Sequence, residues 1–277
     1  MSLKSLAHCI DYLGKDQPVI EDEALLAWAG QRGIPQWEAQ AAALEEEIIP
    51  HRYLKNFWSI GFAEQAKLCR SRILICGCGG LGGILVELAS RCGIGRVRLI
   101  DMDVFAHSNL NRQLLSDPGN LEKSKVQAAV ERIRMVNPLT VTEPIAEKLE
   151  EGNAVQVLDG VDLVLDALDN IEGRIVLAST AQRLGISFIH AAVAGWWGQI
   201  STFLPDSAIG LSSIYGSRRR KDRAEEAAGV PGPTPAIIGS LSALEAVRIL
   251  TGKPAAYSGQ MLYFDGESGT FTLLPLC

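Results

Sequence analysis

Three glycines with the spacing of a phosphate-binding turn are the first feature of this sequence that could do chemistry. They are Gly77, Gly79 and Gly82, which follow the apolar run 73–75 and precede a helical pattern. In such a turn the first glycine allows a tight bend, the second lets a phosphate approach the backbone, and the third lets the helix pack closely on the strand. Free N–H groups at the start of the helix then face an anion. The stretch therefore predicts a phosphate site.

A carboxylate follows the next predicted strand. The apolar run 97–100 ends in Asp101, about where dinucleotide-binding units place the acidic residue that binds ribose hydroxyls. A nucleotide with a ribose is therefore the predicted ligand. Taken alone, the glycines and this carboxylate also fit many nicotinamide and flavin enzymes, so the residues after Asp101 must decide between them.

The elements that position these residues alternate between apolar strand patterns and helical patterns. This alternation is typical of α/β proteins, and we predict a Rossmann-like, doubly wound, mostly parallel sheet extended by antiparallel strands. Helices are predicted near 62–69, 123–136, 174–184 and 235–250. Further strands are predicted at 141–142, 161–166, 187–192, 198–204, 261–265 and 270–274.

The chain divides into a short N-terminal segment and one main domain. Residues 1–50 are predicted to form three short helices, punctuated by glycines and prolines, that act as a packing or dimerisation arm. Residues 51–277 are predicted to form the nucleotide-binding domain. Between 205 and 233 the alternation fails, which predicts a long crossover loop with a functional or mobile character.

Composition excludes several classes of protein. The chain has 277 residues, 47% of them hydrophobic and 21% charged, and a formal net charge of −6. This acidic balance argues against a DNA-binding protein, which needs basic residues to displace counterions from phosphates. No apolar run reaches the roughly 18 residues of a membrane span, and nothing resembles a signal peptide. The six cysteines include no Cys-x-x-Cys pair and suit a reducing cytoplasm, where we expect this protein.

An ordered set of motifs closely resembles the MoeB/ThiF/HesA family, the bacterial relatives of ubiquitin-activating enzymes. The resemblance runs from about residue 50 to the C-terminus and implies an ATP-dependent adenylyltransferase. Its substrate would be the C-terminal Gly-Gly carboxylate of a small ubiquitin-fold sulfur carrier of the MoaD or ThiS type, and the enzyme would be a homodimer that uses Mg²⁺. The motifs are Gly77-Cys-Gly-Gly-Leu-Gly82, Asp101-x-Asp103, Ser108-Asn-Leu-Asn-Arg-Gln113, Lys125-Val126, Asn137-Pro138, Asp166-Ala-Leu-Asp-Asn170, Gly232-Pro-x-Pro235 and Gly239-Ser-Leu-x-Ala-Leu-Glu-Ala246.

The resemblance also implies roles for individual residues. Arg112 and Lys125 would reach the ATP phosphates, where a planar fork and a point charge suit phosphate oxygens, and Asp169 would bind Mg²⁺. The blander alternatives are that Arg112 pairs with a nearby aspartate, that Lys125 is a solvated helix lysine, and that Asp169 caps a helix. The nucleotide site implied by the family comprises Gly77, Gly79, Gly80, Leu81, Gly82, Asp101, Asp103, Asn109, Arg112, Lys125 and Asp169.

Departures from the family pattern restrict these expectations. Many members hold a structural zinc with two Cys-x-x-Cys pairs, and because this chain has neither pair, no zinc is expected. No cysteine lies between Cys92 and Cys277, so the crossover loop lacks a thiol for covalent transfer. Lys55 stands where relatives place an arginine thought to reach the phosphates across the dimer, and a lysine keeps the charge but not the bidentate fork.

Two other functions remain open on the sequence. A nicotinamide-dependent oxidoreductase would use Gly77 to Gly82 and Asp101 equally well, but it leaves Arg112, Lys125 and Asp169 unexplained. Some zinc-free relatives activate a carboxylate on modified tRNA, and only the basic run 218–221 supports that function here.

Overall fold

The chain folds around an eight-stranded sheet, seen in a computed structural model that describes residues 2–220 and 227–277. In chain order the strands are β1 (His8–Tyr12), β2 (Lys15–Ile20), β3 (Ile49–Pro50), β4 (Arg72–Cys76), β5 (Arg96–Ile100), β6 (Val141–Ile145), β7 (Leu163–Asp166), β8 (Ser187–Ala194), β9 (Trp197–Phe203), β10 (Gln260–Asp265) and β11 (Thr270–Pro275). The helices are α1 (Asp22–Arg32), α2 (Gln36–Glu45), α3 (Phe62–Arg70), α4 (Gly80–Cys92), α5 (Lys125–Val136), α6 (Glu151–Leu158), α7 (Ile171–Leu184), α8 (Ser212–Tyr215) and α9 (Pro233–Thr251).

The order of the strands confirms the predicted fold class. In the large sheet the order is β11-β10-β9-β8-β7-β4-β5-β6. The block from β6 to β8 is parallel, and β9, β10 and β11 add to it in antiparallel fashion. The sheet is therefore doubly wound, mostly parallel in its central block and extended by antiparallel strands, as the sequence patterns predict.

Helices cover both faces of the parallel block. On β4, Ile73 and Ile75 join the core under α4, α5 and α9, whereas Leu74 and Cys76 join the core under α6 and α7. All four side chains are fully buried. Because both faces are covered, the strand is a continuous apolar run instead of an alternating one, as expected for a parallel sheet.

The turn between β4 and α4 leaves no room for side chains at two of its glycines. Gly77 has φ +98°, and a Cβ atom there would lie 2.6 Å from the carbonyl oxygen of Ala167. A Cβ atom on Gly82 would lie 1.9 Å from the carbonyl oxygen of Gly77. The helix therefore packs directly on the strand end, as the spacing of the glycines predicts.

The N-terminal segment differs from its prediction in its first third. Residues predicted as the first of three helices instead form the β1–β2 hairpin, whereas α1 and α2 are helices as predicted. The hairpin turns at Leu13 and Gly14, which both have positive φ, 57° and 75°. Two such residues in succession give the tight turn that matches the twist of antiparallel strands, and no helix continues through it. The small sheet is completed by β3, which pairs with β2 in parallel.

Part of the crossover segment 205–233 has regular secondary structure. It contains the short helix α8, while residues 221–226, including Lys221 of the predicted basic run, lie outside the described residues. The following helix begins at Pro233, two residues before its predicted start, and ends at Thr251, with Gly252 as its left-handed C-cap as predicted. Sequence patterns missed α6, which has only eight residues. Among the described residues, no helix has the length and apolar character that a membrane crossing requires.

A buried polar network ties the crossover segment to the sheet. The guanidinium of Arg174 donates to the hydroxyl of Tyr215 at 2.7 Å, and its Nε lies 3.4 Å from Oδ2 of Asp166. His190 contacts Asp166 through Nδ1 at 2.7 Å and Tyr215 through Nε2 at 3.2 Å, and Gln199 also contacts that ring. Burial lowers the pKa of His190, with the Asp166 carboxylate opposing this shift. Neutral His190, donating from Nδ1 and accepting at Nε2, satisfies this arrangement.

Because His190 is neutral in the fold, we expect stability to fall as the pH decreases. An unfolded histidine binds a proton below about pH 6.5, whereas folded His190 resists protonation, so the unfolded state takes up more protons. The free energy of unfolding should therefore decrease as the pH is lowered past about 6.5. This group contributes a slope of at most about 1.4 kcal/mol per pH unit. Urea denaturation between pH 8 and 5.5 measures this slope.

The variant His190→Gln isolates the contribution of this side chain, because glutamine offers hydrogen bonds but no titration in this range. The part of the slope that comes from His190 should disappear in this variant. A matched control is His107→Gln at an exposed histidine, which should keep the wild-type slope. An unchanged slope in His190→Gln would show that the pH dependence has another source.

Candidate active site

A cavity of about 640 Å³ opens where the strand order reverses, at the carboxyl ends of β4, β5 and β7. Doubly wound sheets bind ligands in this crevice. Of the residues proposed from the sequence, most line this cavity, namely Gly77, Gly79, Gly80, Leu81, Asp101, Asp103, Arg112, Lys125 and Asp169. The remaining three, Gly82, Asn109 and Lys55, are outside the set of described residues that line it.

The first turn of α4 forms one wall of the cavity. Gly79, Gly80 and Leu81 line it, and Gly80 is the first residue of the helix. The N–H groups of a first helical turn have no acceptor within the helix, and the positive end of the helix dipole is located there. This wall can therefore bind phosphate oxygens. The neighbouring thiol of Cys78 is fully buried, and because burial raises its pKa it stays protonated at neutral pH.

Asp101 is held by backbone hydrogen bonds at the end of β5. Its Oδ2 accepts from the N–H of Cys78 at 2.7 Å, and its Oδ1 accepts from the N–H of Asp103 at 2.8 Å. Burial raises the pKa of the Asp101 carboxyl, and the two N–H donors act in the opposite direction. The carboxylate thus links the glycine turn to the end of β5, where it can accept hydrogen bonds from ribose hydroxyls.

The two cations proposed from the sequence have different partners. Lys125 is buried, and its Nζ lies 2.8 Å from Oδ2 of Asp103. Arg112 is half-buried, and its Nη1 donates to the carbonyl oxygen of Ser108 and to Oδ1 of Asn111, each at 2.8 Å. The predicted alternative, in which Arg112 pairs with a nearby aspartate, is therefore not the arrangement in this structure. Both cations face the same cavity as the first turn of α4.

Asp169 does not cap the helix that follows it, which is the role that would compete with metal binding. The cap of α7 is Asn170, whose Oδ1 accepts from the N–H of Gly173 at 2.8 Å, so Asp169 does not cap this helix. The Asp169 carboxylate is exposed at the cavity, and its hydrogen bond from Asn170 is long at 3.3 Å. Mg²⁺ in nucleotide sites takes one or two carboxylates together with phosphate oxygens and water, and a single exposed carboxylate fits that need. No group of three or more potential metal ligands occurs within the described residues.

Asn109 and Lys55 have other contacts in this structure. Oδ1 of Asn109 accepts from the N–H of Ala106 at 2.9 Å and so shapes the turn that leads to Arg112. Nζ of Lys55 lies 4.6 Å from the centre of the Tyr12 ring, on the β1–β2 hairpin. A cation over an aromatic face is a modest attraction at an exposed site.

Several cavity residues were missed by the sequence analysis. One group comes from the connection between β6 and α6 and from the first residue of α6, namely Glu147, Lys148, Leu149, Glu150 and Glu151. Because α6 was not predicted, nothing in the sequence marked that connection as part of the cavity. Gln113 and Arg174 also line the cavity. Gln113 closes a motif in which it was given no role, and Arg174 was noted only as the start of a predicted helix. Arg219 reaches the cavity from the crossover segment.

Comparison with curated proteins gives relatives of known name. The chain is 33% identical to the adenylyltransferase and sulfurtransferase MOCS3 of Xenopus laevis over 214 residues, which is 76% of this chain but 48% of that protein. It is 32% identical to the sulfur carrier protein adenylyltransferase of Thermus thermophilus over 237 residues, or 83% of this chain and 88% of that protein. The chain thus spans about half the length of the first relative and most of the second.

A solved structure has a similar fold, and a family model matches most of the chain. Escherichia coli MccB, in a crystal structure with MccA, matches 81% of this chain and 71% of its own with a TM-score of 0.72. At 17% sequence identity, this likeness concerns the fold. The model of the ThiF family matches residues 52–276. With the glycine turn, the doubly wound sheet and the curated relatives in agreement, this chain belongs to the ThiF family.

Proposed function

We propose that this protein is an ATP-dependent adenylyltransferase that activates the C-terminal Gly-Gly carboxylate of a small ubiquitin-fold sulfur carrier of the MoaD or ThiS type. One observation carries the proposal. A single cavity brings together the first turn of α4, the cations Arg112 and Lys125, and the exposed carboxylate of Asp169. The Thermus thermophilus relative, 32% identical, is named a sulfur carrier protein adenylyltransferase, which supports the choice of carrier.

The chemistry explains why these residue types are needed. A carboxylate oxygen of the carrier attacks the α-phosphorus of ATP, the bond from that phosphorus to the bridging oxygen breaks, and pyrophosphate leaves. Two anions must approach, and negative charge grows on the leaving group. Arg112 and Lys125 lower the energy of this charge, and the first turn of α4 adds N–H donors. Asp101 positions the nucleotide through its ribose hydroxyls.

Magnesium fits the carboxylate of Asp169. Bound there, Mg²⁺ would supply positive charge at the phosphates. Asp166, three residues earlier, is excluded from this role, because it is fully buried against His190 and Arg174. Asp169 is therefore the residue of this motif that holds the metal in the proposed reaction.

The two alternative functions explain less of the cavity. A nicotinamide oxidoreductase transfers a hydride and has no need for Arg112, Lys125 and Asp169 around the same space. Activation of a tRNA carboxylate rests on the basic run 218–221, of which Arg219 lines the cavity and Lys221 lies outside the described residues. One cation from this run at the cavity does not form the basic surface that an RNA backbone needs.

We further propose that the enzyme works as a homodimer in which Lys55 completes the partner's site. Within its own chain Lys55 lies on Tyr12, outside the described lining of the cavity. Four exposed apolar side chains lie on the segment that leads from Asp101 to Arg112 and just beyond, namely Met102, Val104, Leu110 and Leu114. An apolar surface of this kind beside a nucleotide cavity suits a second copy of the chain. The first 50 residues, which carry Tyr12, then act as the arm that supports Lys55.

Removing either cation should slow adenylation strongly. Arg112→Ala and Lys125→Ala each remove a positive charge that would stabilise the negative charge developing on the phosphates. The loss of one such group typically costs about 10²-fold or more in rate. Carrier-dependent exchange of pyrophosphate into ATP measures the effect. The matched control is Lys123→Ala, an exposed lysine two residues before Lys125, which should retain wild-type exchange. Near-normal exchange in Arg112→Ala or Lys125→Ala would remove that residue from the phosphate site.

The metal requirement should change when Asp169 loses its charge. Asp169→Asn offers a neutral amide oxygen, a poor ligand for Mg²⁺, so half-maximal activity should need more Mg²⁺ while the fold is kept. The measurement is a Mg²⁺ titration of pyrophosphate exchange, together with the thermal midpoint of unfolding. Asp159→Asn, at an exposed aspartate, is the control. A Mg²⁺ requirement equal to that of wild type in Asp169→Asn would place the metal elsewhere.

Complementation between two inactive variants tests the action of Lys55 in the partner. A mixed dimer of Lys55→Ala and Arg112→Ala chains contains one site with both defects and one site with neither. Activity should return to nearly half of the wild-type value per mixed dimer. Lys55→Arg should be at least as active as wild type, because a guanidinium fork binds phosphate well. If subunit exchange is shown by mass and the mixture stays inactive, Lys55 does not act in the partner's site.

A further inference from the structure

Buried glutamines in this protein differ in how their side-chain amides are satisfied. Within the described residues, Gln40, Gln65 and Gln113 have buried side chains. In Gln40 and Gln65, both ends of the amide are hydrogen-bonded. Their partners are the Tyr53 hydroxyl and the Leu139 carbonyl for Gln40, and the Asn56 amide and the Cys92 carbonyl for Gln65. Full pairing is the usual state of buried polar groups.

Gln113 departs from this pattern at the cavity. It is only 7% exposed, and its Oε1 has no hydrogen-bond partner among the described residues. The same residue lines the cavity and follows Arg112 directly. Its Nε2 lies 3.5 Å from the position that a Cβ atom on Gly79 would take, so the amide rests against the glycine turn. A buried acceptor without a donor is costly, and a ligand that supplies the donor removes this cost.

The chemistry of the reactants limits what this donor is. Phosphate oxygens accept hydrogen bonds, so they do not pair with Oε1 of Gln113. The hydrogen-bond donors of ATP are its ribose hydroxyls and its adenine amine. In the proposed reaction the ribose hydroxyls donate to the carboxylate of Asp101. The second substrate enters as the end of a polypeptide, and a polypeptide carries an N–H donor at every residue except proline.

We propose that Oε1 of Gln113 accepts a hydrogen bond from the peptide N–H of the terminal glycine of the carrier. This inference rests on the proposed function and deepens it. The residues assigned so far in this chain's cavity bind the nucleotide or its metal, whereas Gln113 would bind the tail of the carrier. The contact holds the carboxylate beside the glycine turn, from which it attacks the α-phosphorus. Holding a reactant in the correct geometry is a direct contribution to rate. Gln113 is therefore a substrate-binding residue.

The variant Gln113→Leu separates this role from a structural one. Leucine has a similar volume and no polar atom, so it removes the unpaired acceptor along with the contact to the carrier. We expect kcat/KM for the carrier to fall by about tenfold in pyrophosphate exchange, the usual scale for one hydrogen bond. ATP affinity should stay unchanged, and the thermal midpoint should not decrease.

A matched control is Gln40→Leu, which removes an amide that is paired at both ends. This change leaves the hydroxyl of Tyr53 and the carbonyl of Leu139 without that partner, so its thermal midpoint should decrease. A lower carrier kcat/KM without a lower midpoint in Gln113→Leu is a combination that a purely structural glutamine would not give.

A change in the substrate tests the same hydrogen bond from the other side. A semisynthetic ubiquitin-fold carrier that ends in glycine and glycolate has an ester oxygen in place of the last peptide N–H. Wild type should lose about tenfold in kcat/KM with this carrier, whereas Gln113→Leu should lose nothing further, because the contact is already absent.

Three outcomes would overturn the inference. Full carrier activity in Gln113→Leu would mean that an ordered water alone meets the oxygen. A loss confined to ATP affinity would assign the oxygen to the nucleotide. Additive losses from the variant and the ester would show that the two changes act on separate contacts. Absence of exchange by wild type with every Gly-Gly carrier would instead overturn the proposed function, and this inference with it.

Discussion

The contact between the end of β4 and the first turn of α4 is the constraint on which the cavity depends. A side chain on Gly82 would enter the carbonyl group of Gly77, and one on Gly77 would enter the carbonyl group of Ala167. Because the backbone segments touch here, the unpaired N–H groups of the helix lie directly at the carboxyl edge of the sheet. The same edge carries Asp101 and Asp169. A wider contact would move the glycine turn away from both aspartates, without any change in the strands that carry them.

Two aspartates three residues apart show how the sheet edge separates a buried carboxylate from an exposed one. Asp166 is the last residue of β7, is fully buried, and meets the ring of His190 and the guanidinium of Arg174. Asp169 lies beyond the strand and faces the cavity. Arg174 also donates to the carbonyl of Leu168, the residue before Asp169. The buried Asp166–Arg174 ion pair, with the hydrogen bond from Arg174 to Leu168, thus holds the short loop that presents the exposed carboxylate, and its value lies in that geometry more than in net stability.

The features that the sequence predicts are those with a local cause. Apolar runs and glycine spacing predict the parallel sheet and the turn, since both follow from residues that are neighbours in the chain. The β1–β2 hairpin was missed because its turn uses Leu13 in a positive-φ conformation, which leucine rarely adopts. Helix α6 was missed because its eight residues span about two turns, too short a window for a helical period to be recognised. The unpaired oxygen of Gln113 depends on packing against Gly79, which no local pattern reveals.

The charge around the cavity supports the proposal that a second chain contributes to the site. Its described lining contains seven acidic and five basic side chains, which are Asp101, Asp103, Glu147, Glu150, Glu151, Asp169 and Glu172, and Arg112, Lys125, Lys148, Arg174 and Arg219. Two of the basic groups are already paired, Lys125 with Asp103 and Arg174 with Asp166. A triphosphate and a carboxylate entering this cavity would be repelled unless further positive charge came with them. In the proposed reaction that charge comes from Mg²⁺ at Asp169 and from Lys55 of a second chain. Since the carboxylate meets least repulsion after both are in place, the nucleotide and its metal should bind before the carrier.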